Sequence, residues 1–143
     1  MAKQPINVTG ATLTVDRDTH AGTIITLNRA AGCTATLPAA IGKGDVYEFV
    51  IGTSVTTNAY IVKVANGTDT MCGNAVLFQD SGDTVVGFAA GSTADTINMD
   101  GSTQGGLKGA HITMKDVAVN LWHAEYISDA SGTEATPFAA TVS

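Results

Sequence analysis

Apolar and polar residues alternate with a period of two through most of this chain, in short runs cut apart by glycine, asparagine and aspartate. In CTATL (33–37), Cys33, Ala35 and Leu37 share one face and Thr34 and Thr36 the other. VYEFVI (46–51) sets Tyr47, Phe49 and Ile51 against Val46, Glu48 and Val50, as in a strand buried on most of both sides. YIVKVA (60–65), DTINM (95–99) and HITMK (111–115) repeat the alternation. Successive side chains of a strand point to opposite faces, so this period predicts strands with one face in a core. No segment carries a convincing 3.6-residue period. Roughly ten short strands at this spacing predict an all-β protein, a β-sandwich or barrel.

Turn chemistry separates the runs. NRAAG lies between TIITL and CTATL at hairpin length, while ANGT (65–68) and MDGST (99–103) carry Asn-Gly and Asp-Gly, strong hairpin signals. GSTQGGLKG (101–109) reads as a longer, mobile loop. DVAVNLWHAEYI (116–127) reads as one long strand whose apolar phase shifts by a residue between Leu121 and Trp122, as at a β-bulge or a crossing between sheets.

AIGKGD (40–45) invites comparison with a phosphate-binding loop. That loop needs G-x-x-x-x-G-K-[ST] leading into a helix, whose N-terminal amides hold the anion. Here Gly44 follows Lys43, the earlier glycine is missing, and a strand pattern comes next. The segment reads as a turn. DRDTH places Asp16, Asp18 and His20 at alternate positions, where a strand would project all three from one face toward a cation. The competing reading is a charged strand end that discourages edge pairing, and no further ligand is identifiable, so no metal site is assigned.

Catalytic chemistry fares no better. His111 and His123 with Asp116 or Glu125 could pair a base with its orienter, but no serine sits in a G-x-S-x-G elbow. Cys33 lies in an alternating strand with nothing to lower its pKa. Cys33 and Cys72 read as two small buried hydrophobes without a disulfide, and no CxxC motif is present. No catalytic residue and no cofactor is therefore expected. Trp122 and Tyr126 fall on one strand face, where a sugar-binding platform and a core anchor are both open readings, the core being the commoner.

Charge narrows the partners. Seven basic residues stand against thirteen acidic ones, a net charge of −6, and no two Lys or Arg residues are adjacent. Nucleic-acid binding draws on basic clusters that displace counterions, so direct nucleic-acid binding is not expected. No apolar run approaches the 20 residues of a membrane span, and MAKQPINVTG lacks the apolar core of a secretion signal. Charged residues make up only 14% of the chain. That suits a surface lying against neighbouring subunits, where desolvating charge is costly.

The ends differ from the middle. Residues 1–11 read as an N-terminal arm, 12–127 as the β domain and 128–143 as a C-terminal arm. In an isolated chain such ends fray; in an assembly Pro5, Ile6, Val8, Pro137 and Phe138 would dock on a neighbouring chain.

The ordered set TIITLNRAAGCTATLPAAIGKGDVYEFVI, YIVKVANGTDTMCGNA and DTINMDGSTQGGLKGAHITMKDVAVNLWHAEY, with the ATPFAATV ending, resembles a family of small structural proteins in the virions of tailed bacteriophages. The members are usually read as head decoration (cement) proteins, and the resemblance covers roughly residues 12–142. It implies a barrel-like, β-tulip-type domain with extended terminal arms and no enzymatic activity. It also implies a homotrimer on the outer capsid surface whose partner is the major capsid protein. A receptor- or glycan-binding module of a phage tail or fibre is the alternative that the same resemblance allows.

Overall fold

The structure, a computed structural model, describes residues 3–79 and 82–143. Met1 and Ala2 of the expected N-terminal arm lie outside the described residues. The described chain is all-β, as its alternation predicts. Its elements are β1 (Ile6–Val8), β2 (Thr12–Thr14), a single helical turn α1 (Arg17–His20), β3 (Ile24–Leu27), β4 (Cys33–Thr36), β5 (Val46–Ile51) and β6 (Tyr60–Lys63). They continue as β7 (Thr70–Gln79), β8 (Thr84–Ala89), β9 (Thr96–Met99), β10 (His111–Ala118), β11 (Leu121–Ala130) and β12 (Phe138–Ala139). Two mixed sheets form a sandwich, ordered β1-β3-β5-β10-β11-β7-β8 and β12-β9-β6-β4-β2.

The first half of the chain winds between the sheets. β1, β3 and β5 lie side by side and parallel in the larger sheet, and β2, β4 and β6 do the same in the smaller. NRAAG, ANGT and MDGST therefore do not close hairpins. Each carries the chain from one sheet to the other. The polar residues Asn66 of ANGT and Asp100 of MDGST cap local backbone amides, which a sheet crossing needs as much as a hairpin does. Asn66 Oδ1 accepts from the amides of Thr68 (2.9 Å) and Asp69 (3.0 Å), and Asp100 Oδ1 from those of Ser102 and Gln104 (2.8 Å each).

The core forms where the alternation put it. One register row across the larger sheet runs Ile6, Ile25, Phe49, Ile112, Tyr126, Ala75, Phe88. Its five central members are fully buried, and Tyr60, Val62, Ile97 and Met99 of the smaller sheet are buried in the same core. Each of the large aliphatic, Phe and Met side chains among them contributes about 1.5–3 kcal/mol by leaving water. The outer side of VYEFVI is less covered than expected. Val46 and Glu48 are exposed because β5 turns that face to solvent.

DVAVNLWHAEYI is two strands. β10 and β11 form an antiparallel hairpin with Ala118 opposite Leu121, so Val119 and Asn120 make a two-residue turn, Asn120 with φ 63°. The turn produces the shift of apolar phase, and a bulge at Asp116–Ala118 adds to it. GSTQGGLKG is also no free loop. Gly105 and Gly106 are buried, Gly106 N donates to Ser128 Oγ (3.2 Å), and Tyr126 Oη donates to Gln104 O (2.8 Å). Ser128 itself lies buried in β11, inside the segment expected to form the C-terminal arm.

The terminal segments are built into this chain's own sheets. Ile6 and Val8 belong to β1, which runs parallel to β3, and Val8 is buried. Phe138 pairs with Ile97 and is 8% exposed. β11 continues to Ala130, so the C-terminal boundary at 127 falls inside a strand. Extended arms are replaced by edge strands because the apolar residues Ile6, Val8 and Phe138 find partners within the same core.

Gly73 shows how closely the strands approach. Its φ is 120°, and a Cβ there would lie 1.9 Å from the Ala124 carbonyl oxygen. Gly73→Ala is expected to cost about 1–3 kcal/mol in backbone strain, read as a lower urea midpoint. An unchanged midpoint would show that β7 and β11 do not meet this closely.

Candidate interaction surface

The segment Ala40–Asp45 is a turn that does bind an anion, and the anion is a side chain of the same protein. Pro38 follows β4, and Gly42 (φ 73°) and Gly44 (φ 76°) bend the chain back toward β5. Their left-handed conformation lets successive amides converge on one point. There Asp116, wholly buried at its carboxylate, accepts from Ile41 N (3.2 Å), Gly42 N (2.7 Å) and Lys43 N (3.2 Å). Arg17 Nη2 stands 3.6 Å from Asp116 Oδ2, and Arg17 Nε bonds Asp45. That bond, together with the charges of Asp45 and Asp116, pushes the guanidinium pKa further up. Asp69, also buried, takes the Ala40 amide at 3.0 Å.

The hairpin tip is stapled to this turn. Ile41 bridges to Val119, Asn120 N donates to Ala40 O (3.0 Å), and Thr70 N donates to Asn120 O (3.0 Å). The backbone is thus fixed from three directions, yet the side chains it presents are apolar and open. Ile41 is 42% exposed, Val117 49% and Val119 68%. Val46 and Ile24 are also exposed on the outer face of β5 and β3, where they stand opposite Lys115 and Glu48. A two-residue turn is normally filled by glycine, asparagine or aspartate; here a valine stands at its first position with its side chain exposed.

The other sequence candidates disperse. Asp16, Asp18 and His20 do not alternate along a strand. Asp16 caps α1 by accepting from Thr19 N (2.9 Å), and the amide of Asp16 donates to Nδ1 of buried His20 (3.0 Å). The hydrogen bonds from Thr19 hold the Asp16 carboxyl below its usual range. Among the described residues no group of three His, Cys, Asp or Glu side chains is placed to hold a metal ion. His111, His123 and Glu125 share the outer face of the larger sheet without hydrogen-bonding one another, whereas Asp116 points inward to the turn. Cys33 is buried in β4, and burial pushes its thiol up, while Cys72 lies half-buried on β7 in the other sheet, both thiols free.

Trp122 is fully buried, its ring edge-on to Tyr47 at 5.7 Å and 66°, and Tyr126 is buried further along the same face of β11. No aromatic platform exists on that face. A shallow groove of about 450 Å³ on the smaller sheet is lined by Thr34, Ile61, Lys63, Asn98, Gln104 and Thr141. It presents one charged group, Lys63, among hydroxyl and amide side chains.

Asp95 anchors residues 141–143. Its carboxylate accepts from the amides of Thr141 (2.8 Å), Val142 (3.2 Å) and Ser143 (3.0 Å) and from the hydroxyls of Thr96 and Ser143. Burial alone would raise its pKa, but these bonds outweigh it and hold the carboxyl at about 2. The unfolded chain then takes up the proton first, so the stabilisation is present above pH 3.8 and is lost as pH falls through 2. Asp95→Asn is expected to cost about 1.5–3 kcal/mol at neutral pH, with the gap to the parent closing across that acid window in urea titrations. A pH-independent gap would contradict the assignment. No signal in the sequence marked Asp69, Asp95 or Asp116 as amide caps, since each caps a segment 29 or more positions away.

Among the described residues no helix is long and apolar enough to cross a membrane. No known family model, curated protein or solved structure matches this chain.

Proposed function

We propose that this chain is a capsid decoration (cement) protein of a tailed bacteriophage. It would bind the outer surface of the expanded head as a trimer and stabilise contacts between major capsid subunits. The resemblance in its ordered motifs supplies the kind of lattice. The observation that carries the reading is the braced tip, where Ile41, Val117 and Val119 stay open to solvent on a backbone fixed by Asp116. A clamp needs a surface that is sticky and already ordered, because ordering it on binding would consume part of the affinity.

A ligand that binds only the expanded lattice stabilises that state through its differential affinity. A trimer adds avidity, since its second and third contacts are effectively intramolecular. Interfaces of about 800 Å² per partner then suffice. The acidic balance of the chain keeps it from competing for the packaged genome.

Val119→Asp tests the surface. The residue is 68% exposed, so folding stability is expected to stay within about 0.5 kcal/mol, while binding to expanded heads falls at least about tenfold, a loss of 1.4 kcal/mol or more. Co-sedimentation with heads stripped of the protein reads both variants side by side. Equal binding by parent and variant would remove the tip from the interface.

A further inference from the structure

Four strands end the two sheets: β1 and β8 in the larger, β12 and β2 in the smaller. An open strand edge is a template for pairing, and proteins blunt it with short strands, proline or charge. β1 and β2 are three residues long and β12 is two. Pro5 stands directly before β1 and Pro137 directly before β12. β8 has none of these protections. It is six residues, TVVGFA, without charge or proline, and Val85 on it is 62% exposed.

The ladder with β7 fixes which of its backbone groups are free. Ala90 N donates to Gly73 O at 3.0 Å, opposite it in the β7–β8 register. Bonded pairs alternate along an antiparallel ladder, so Thr84, Val86 and Phe88 point their amides and carbonyls at β7. Val85, Gly87 and Ala89 point theirs away, and among the described residues nothing bonds them there.

We infer that β8 is a self-association edge whose partner is β8 of a second copy of this chain. Antiparallel pairing about a two-fold axis, with Gly87 opposite Gly87 and Val85 opposite Ala89, satisfies all the outward groups through about six hydrogen bonds. The same register sets Val86 against Phe88 of the second copy on the core side, where both are only half-buried in the single chain. It opposes no like charges, although the chain carries −6. A foreign partner would have to bring an uncharged strand of matching length, and the second copy already carries one. The contact is distinct from the three-fold one of the proposed trimer and compatible with it, because trimers on a shell can face each other across two-fold axes. It does not depend on the capsid reading.

The test is Gly87→Cys in a Cys72→Ser background, with Glu48→Cys, exposed in the middle of the same sheet, as control. A Cβ at Gly87 has no neighbour closer than 3.9 Å, so the variant has room to fold. Bonded pairs place their Cα atoms about 5.5 Å apart, within disulfide reach. Mild oxidation is expected to yield a disulfide-linked dimer for Gly87→Cys and not for the control. In parallel, Val85→Lys is expected to weaken concentration-dependent self-association in sedimentation equilibrium at least tenfold. Cross-linking no greater than the control, or self-association indifferent to Val85→Lys, would overturn the inference. Loss of head binding with self-association intact would count against the capsid reading alone.

Discussion

Trp122→Ala is expected to lower folding stability by about 3–5 kcal/mol, among the largest effects of any single truncation in this chain. The indole is fully buried, between Asp116 on β10 and Met71 on β7 in the sheet register, with its ring against Tyr47. Truncation removes the transfer free energy of the ring, the edge-to-face contact and the packing around the cavity left behind. Urea unfolding reads the loss as a lower midpoint at an unchanged slope. Trp122→Phe keeps an aromatic ring against Tyr47 and is expected to recover much of it. A loss below about 1 kcal/mol would mean that the ring does not anchor the core.

Asp116→Ala is expected to cost a similar amount, about 3–5 kcal/mol, for an electrostatic reason. Three amides of the Ile41–Lys43 turn converge on this carboxylate, and the Arg17 guanidinium lies beside it. Removing it leaves buried donors without an acceptor, and an unmade buried hydrogen bond costs more than a made one contributes. Asp116→Asn keeps the shape but loses the charge and presents its own N–H groups to donors, so a partial loss is expected. The local readout is hydrogen exchange: protection at Ile41, Gly42 and Lys43 should collapse before that of the Tyr47–Ile51 strand. If all of these amides keep their protection in Asp116→Ala, the carboxylate is not what orders the tip.

The strand faces were legible because alternation reports burial directly. Cys33, Ala35 and Leu37, then Tyr60, Val62 and Val64, lie inward as their period required. Strand partners were not legible. Asn66-Gly67 and Asp100-Gly101 announce local turns, but a hairpin and a crossing between sheets use the same amide-capping chemistry. The Val119–Asn120 turn escaped notice because valine is an unusual occupant, and its exposure is also what marks the tip as a surface. The comparison of AIGKGD with an anion-binding loop had a physical basis that spacing alone could not resolve. The amides do gather around an anion, and the anion is Asp116, supplied from more than 70 positions away. β7 and β8 were missed as strands; Gly73 and Gly87 break their alternation, and β8 buries little of either face.

The stoichiometry of this chain on purified phage heads, before and after the shell expands, tests the central claim most directly. The account predicts saturable binding to expanded heads at a fixed ratio to the major capsid protein, negligible binding to unexpanded ones, and a higher temperature of genome release when the sites are filled. Expanded heads that remain bare of it at saturating concentration, with the chain recovered only from tails, would contradict the account.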